Sequence, residues 1–155
     1  MDARSYLEEI QLLDEMISNK SSEIYQLRCL ATSCTAPTDR EPSGKGGASD
    51  RVGNIVAKIV AKIVDLQNKY NEAVDRFVDA IKERVKVIEE IRKPLYYTIL
   101  HKHYIGVKLE DDKPDTPTWY MSLADIAEVE GYSYSHVCDY HRKALDEVQR
   151  VLDGR

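Results

Sequence analysis

The hydrophobic positions of the chain fall into long helical runs separated by polar breaks. From Ala3 to Cys34 there is no Gly or Pro, and Ile10, Leu13, Ile17, Ile24, Leu27 and Ala31 share one seam of heptad-like spacing, interrupted by Lys20. This pattern predicts an amphipathic helix. Thr35 to Arg51 breaks it with Pro37, Pro42, Gly44, Gly46 and Gly47 among Thr, Ser, Asp and Lys, which predicts a flexible loop. Asn54 to Lys93 then runs for forty residues without Gly or Pro, enough for a helix of about 60 Å. Its stripe is Val52, Val56, Ile59, Ile63, Leu66, Tyr70, Ala73, Phe77, Ile81, Ile88 and Ile91, and the tandem repeat Ile55-Val-Ala-Lys-Ile-Val-Ala-Lys62 keeps helical phase within it. Such a stripe packs antiparallel on the first helix or on a second copy of itself.

Pro94 marks a restart, because proline is favoured in a first helical turn and restricts the residue before it. The helix that follows, Leu95 to Ile105, is expected to end at Gly106 and to pack through Leu95, Ile99, Leu100, Tyr104 and Ile105 on what comes after. Gly106 to Met121 is a polar excursion containing Glu110, Asp111, Asp112, Pro114, Asp115 and Pro117, with Trp119 or Tyr120 as the anchor of its return. Ser122 to Ala144 then reads as a helix-turn-helix. Ser122 caps a helix with Asp125 three residues on, Ala127 is small where a second helix crosses, and Gly131 suits a left-handed turn. Ser133 or Ser135 caps the next helix, whose inward face is Val137, Tyr140, Ala144, Leu145, Val148 and Val151. Glu130 stands where such motifs often carry an apolar residue.

These elements predict an all-α chain. Residues 1–93 would form a long antiparallel, coiled-coil-like helical hairpin with a flexible loop at about 35–51. Residues 94–155 would form a helix-turn-helix domain with an inserted loop at about 107–121. The composition agrees with long helices: of 155 residues, 32% are charged, with one Phe and one Trp. No run approaches a membrane span and the N-terminus lacks a signal-peptide core, so a cytoplasmic protein with no membrane partner is expected. Cys29, Cys34 and Cys138 form no C-x-x-C pair, which predicts reduced thiols. The net charge of −5 opposes indiscriminate binding to DNA. Its distribution is uneven: residues 82–108 carry seven Lys or Arg against three Glu, whereas residues 122–155 carry four Arg or Lys against seven Asp or Glu.

Little in the chain points to chemistry. Gly44-Lys45-Gly46-Gly47 lacks the spacing of a phosphate-binding loop and the strand before it. His101 and His103 lie about 200° apart on a helix, and His136 and His141 are five residues apart, so neither pair can chelate a metal from one face. The four histidines are expected to be solvated or near phosphate. No nucleophile with a base stands out, Glu110-Asp-Asp112 reads as a solvated loop, and neither an enzyme nor a cofactor is expected.

The second helix of the motif would present Tyr134, Ser135, Cys138, Asp139 and Arg142 outward, with His136 and His141 on its flanks, as the DNA-binding face. Tyr134 and Ser135 can bond phosphates, Asp139 can accept from a cytosine amino group, and Arg142 can reach guanine or phosphate. Arg92, Lys93, Lys102, Ser122 and Lys143 are further phosphate contacts to expect. The residues from Pro94 to Leu152 resemble the promoter-reading C-terminal region of the sigma-70 family, through Tyr104-Ile-Gly106, Ser122 to Ala127, Gly131 to Ser133 and Val137 to Leu145. The whole chain looks similar to small phage and prophage proteins of Gram-positive bacteria of the ArpU and RinA late-regulator type. The motifs that carry this are Tyr6-Leu-Glu-Glu-Ile10, Glu23 to Leu30, Tyr132 to Val137, His141 and Ala144-Leu145. The resemblance implies a transcription regulator in the bacterial host cytoplasm that binds double-stranded DNA, touches RNA polymerase and forms a homo-oligomer through its long helices. A phage structural or packaging adaptor built on the same hairpin is the alternative.

Overall fold

The hairpin seam is where the architecture begins. A computed structural model describes residues 1–35, 48–108 and 118–155, and the fold is all-α apart from one short ribbon. Helix α1 spans Ala3–Thr35 and α2 spans Ala48–Glu89. They run antiparallel, since Tyr6 and Glu9 meet Glu83 and Arg84 while Leu27 and Leu30 meet Lys62 and Leu66. On α2 the inward positions recur in steps of three and four: Ile59, Ile63, Leu66, Tyr70, Ala73, Phe77, Ala80, Arg84 and Val87, all buried or half-buried, and buried Ile91 continues the spacing just past its end. On α1 the matching set is Ala3, Tyr6, Ile10, Leu13, Ile17, Lys20, Ile24, Leu27 and Ala31. Lys20 occupies its seam position half-buried. Val52, expected in the stripe, is exposed.

Helix α2 starts and stops earlier than its pattern predicts. It begins at Ala48 with Gly53 inside it, and it ends at Glu89 because Pro94 holds Lys93 extended (φ −120°, ψ 106°) and the chain must leave the helix first. Thr35 and residues 48–51, expected in the loop at 35–51, are thus helical, and the Gly44–Gly47 segment lies outside the described residues, as do Glu110, Asp111 and Asp112. Helix α3, Pro94–Leu100, continues into a π-helical turn at His101–Ile105 that Gly106 terminates. Gly106 sits at φ +69°, and a Cβ there would lie 2.7 Å from the Trp119 carbonyl oxygen. Only glycine fits. The expected excursion opens and closes with a two-residue antiparallel ribbon, β1 (Val107–Lys108) on β2 (Thr118–Trp119). Its anchor is Tyr120, half-buried with its hydroxyl donating to Asp14 at 3.1 Å, while Trp119 faces out.

Two helices complete the fold, α4 (Leu123–Glu130) and α5 (Tyr134–Asp153). The main core joins the base of the hairpin to them: Leu7 and Ile10 of α1, Phe77 and Ile88 of α2, Leu100, Tyr104 and Ile105, and Ala144 and Val148 of α5 are buried together. Leu100, Tyr104 and Ile105 thus share the core that joins the hairpin to α5, and Leu95 and Ile99 lie in a smaller core with α4 and the start of α5. The first amide of α1 is tied to the last turns of α5, with Ala3 N–H donating to Gln149 at 2.8 Å. Among the described residues, no helix is long and apolar enough to cross a membrane.

Arg84 is a charge buried in the seam, 6% exposed. Its guanidinium lies 4.2 Å from the centre of the Tyr6 ring, its Nε–H donates to the Tyr6 carbonyl at 3.2 Å, and its Nη groups reach Glu83 and Glu9. A charge in a heptad core position is tolerated only in the register that supplies its partners, so Arg84 selects one alignment of α1 on α2. Glu9 and Glu83 are 43% and 55% exposed, so water rehydrates them when the arginine is removed. Arg84→Ala should therefore lower stability in urea denaturation by about 2 kcal/mol, mostly lost packing, with Arg84→Met costing less because it keeps the stem. The two positive-φ glycines among the described residues, Gly106 and Gly131, should separate in the same assay. Gly131→Ala should cost about 1 kcal/mol, since nothing lies within 4 Å of a Cβ there. Gly106→Ala should cost about 3 kcal/mol or more, because backbone strain and a backbone clash add.

Candidate nucleic-acid interface

The turn between α4 and α5 is built from its caps. Ser122 is extended (φ −69°, ψ 158°) and its Oγ accepts the Asp125 amide at 3.1 Å, while donating to the Asp125 carboxylate at 2.8 Å. Gly131 closes α4 in the left-handed region (φ 73°, ψ 29°), and the Tyr132 amide donates back to the Ala127 carbonyl at 3.0 Å. Of the two serines that could cap α5, Ser133 does so, accepting the His136 amide at 3.2 Å. A small second core of Ile99, Ile126, Ala127 and Val137, flanked by Leu95, Met121, Leu123 and Tyr140, fixes α3, α4 and α5 as a three-helix unit. Ala127 lies within it, where a larger side chain would push the helices apart.

The sequence-selected side chains divide on α5. Tyr134, 59% exposed, and Ser135, His136 and Arg142 face outward along its N-terminal half. His136 is held by stacking on Tyr132 at 5.1 Å and by an edge contact with Tyr140 at 4.2 Å. Cys138 is half-buried, and the bond it forms with the Tyr134 hydroxyl raises that phenol above its ordinary value. Asp139 binds Lys143 at 2.7 Å and Arg142 at 2.9 Å, and these contacts, the lysine first, hold its carboxyl below the usual range. It is engaged with its own helix.

His141 is not on the outer face. It is 6% exposed, and its Nε2 lies 2.8 Å from the Tyr104 hydroxyl, with the two rings stacked. The reason is helical phase: position 141 is four residues from Val137 and three from Ala144, both buried, so it points into the joint with the hairpin. Burial first, then the neighbouring His103 and Arg4, push His141 down to about 4. Burial pushes Tyr104 up to about 12. At neutral pH the pair is a phenol donating to a neutral imidazole. His103 donates from Nδ1 to the Met121 carbonyl at 2.7 Å, and half-buried His101 stacks on Tyr97, its pKa lowered by burial. Three of the four histidines are therefore structural rather than solvated, and only His136 is exposed. Among the described residues, no group of three His, Cys, Asp or Glu is placed to hold a metal.

The cations expected at phosphates are mostly engaged. Lys102 pairs with Glu130, Lys93 with Glu147 at 3.3 Å, and Lys143 with Asp139. The Lys102 bridge accounts for the acidic residue before the turn glycine: Glu130 ties α4 to the π turn, a role the motif alone did not reveal. Ser122 spends its hydroxyl on Asp125. Arg92 is exposed beside Lys86, Glu89, Glu90 and Arg155. Farther along α5, Arg150 pairs with Glu147 at 3.2 Å. The outer face of α5 is thus close to charge-neutral, with cation and carboxylate interleaved.

No family model, curated protein or solved structure matches this chain. Its candidate interface rests on its own geometry.

Tyr132 was not among the selected residues, although its spacing of four from His136 on the far side of a capping serine is the signal that places the two rings together. The buried imidazole carries a pH signature. His141 titrates well below its unfolded value of 6.5, so the unfolded chain binds the extra proton between about pH 6.5 and 4. Stability is full above 6.5 and falls as pH drops through that window. Denaturant titrations at pH 7 and pH 4.5 should show a smaller loss in His141→Gln than in the unsubstituted chain. An equal loss would assign the acid sensitivity to carboxylates instead.

Proposed function

We propose that the chain is a DNA-binding regulator of transcription that offers the N-terminal half of α5 to the major groove. One observation carries the reading: a three-helix unit whose α4–Gly131–α5 turn is capped at both ends and packed over Ala127, leaving Tyr134, Ser135, His136 and Arg142 outward along the first half of the second helix. That geometry suits direct contact with base edges from the first turn and with phosphate from the later cations. The resemblance of Pro94 to Leu152 to the sigma-70 promoter-reading region gives the reading its finer form. The regulator is of phage type, acts in the bacterial cytoplasm, and works by recruiting RNA polymerase to a promoter, with no chemistry of its own.

The interleaved charges set how such a protein binds. Arg142 and Lys143 must exchange Asp139 for phosphate, so each contact gains little net energy. Two or three phosphate contacts give a slope of log affinity against log salt of about −2 to −3, shallow for a DNA reader. A second copy or polymerase then supplies the remaining affinity.

A second reading, an adaptor in phage assembly or packaging, draws on a different feature. Val129, Tyr132 and Tyr134 are exposed together around the turn, an apolar and aromatic patch that suits a protein surface.

Selection of bound fragments from genomic DNA with the purified full chain separates the two. The regulator reading expects an enriched motif, weakened about tenfold by Arg142→Ala and strengthened by Asp139→Asn, which releases two cations. Absence of any enriched sequence, with Asp139→Asn raising affinity for all DNA alike, would sink promoter reading and leave the adaptor.

A further inference from the structure

The two lateral sides of the hairpin differ in kind. On α2 the charges from Arg51 to Lys69 are Arg51, Lys58, Lys62, Asp65 and Lys69, spaced by three, four and seven so that they share one side of the seam. Grooves fix which side: Lys62 lines one with Leu30 of α1, and Lys69 lines another with Met16. The opposite side of α2 holds Gly53, Ala57, Val60, Val64, Gln67 and Asn71, with no charge. Gln67 shares a groove there with Ser21, Tyr25 and Arg28 of α1. Tyr25, Val60 and Val64 are 69%, 48% and 55% exposed on this side.

We infer that this uncharged side of the distal hairpin, centred on Tyr25, Val60 and Val64, is the self-association face, closed by the same face of a second copy in antiparallel alignment. Three observations select that occupant. Arg28 is the one formal charge among these positions, so two identical faces meet without like charges in rows, and a nucleic acid finds no cationic surface there. The C-terminal unit already covers the proximal part of the same side, through Gln11 on the His103 carbonyl at 3.0 Å and Tyr120 on Asp14. Gln11, Asp14, Ser18, Ser21 and Tyr25 follow one another in steps of three and four, so the covered and uncovered parts form one continuous strip. A partner is thereby confined to the distal part, and an antiparallel copy places the two C-terminal units at opposite ends without collision. The uncovered strip is about 25 Å long and about 20 Å wide for two helices. It buries roughly 1,000 Å² in total between two copies, the size at which specific interfaces begin. Small residues at Gly53, Ala57 and Ser21 let the helices approach.

Sedimentation velocity of the full chain tests the face. The expected species at about 50 µM is a dimer, twice the chain mass of 17.7 kDa. Val60→Asp with Val64→Asp should weaken association by about a hundredfold or more, because it buries unpaired carboxylates. Helical circular dichroism should stay unchanged, since both positions are exposed in the monomer. Met16→Asp with Leu30→Asp, on the charged side, should leave the dimer intact. A monomeric unsubstituted chain, a dimer indifferent to the Val60 and Val64 changes, or dissociation by the charged-side pair instead would each overturn the assignment.

Discussion

Burial of the first three turns of α1 is the constraint on which the rest of the structure depends. Leu7 and Ile10 are fully enclosed, and what encloses them comes from α2, the π turn and α5 together. The base of a coiled coil and a three-helix unit therefore share one core. The buried Tyr104–His141 contact, the Gln149 cap on α1 and the Tyr120–Asp14 bond all lie along that junction. The last two join groups of the two parts and form only when these meet, while the Tyr104–His141 bond satisfies two polar groups of the three-helix side that the junction buries, so the junction is specified as well as stabilised. Arg84 performs the same service one step into the hairpin, where its partners exist in one register only.

This arrangement changes what the turn motif can do. A reading helix on a flexible tether samples orientations, whereas α5 is fixed on both faces of its inner half, by Ile99 and Ala127 toward its start and by Leu7 and Leu100 toward its end. Its free surface is confined to the first turns and one outward stripe. That stripe is nearly neutral because Asp139 and Glu147 hold its cations. On the proposed regulator reading, preorganised shape with little net charge would favour discrimination over raw affinity, the reverse of a protein that binds DNA by charge alone.

The helical elements were legible because their signals are periodic or local. Seam spacing located both long helices, and Ser122, Ala127 and Gly131 occupy their expected structural roles for the expected reasons. What escaped depends on tertiary contacts. Arg84 reads as a surface cation until α1 supplies Tyr6 and Glu9, and Glu130 reads as a departure until Lys102 answers it. His141 is expected on a flank of the candidate face, and the phase set by Val137 and Ala144 places it inward. The expected ends of α2 missed the backward reach of Pro94, and the ribbon closing on Gly106 needs a pairing partner a dozen residues away.

The shared core makes a direct claim: the three-helix unit and the base of the hairpin unfold as one body. Native-state hydrogen exchange under increasing denaturant measures this. Slow amides around Leu7 and Ile10, around Phe77 and Ile88, and around Ala144 and Val148 should open with one free energy and one denaturant dependence. If the α4 and α5 amides opened at a distinctly lower free energy while α1 and α2 stayed protected, the unit would be an independent module, and the account of a rigidly seated α5 would be contradicted.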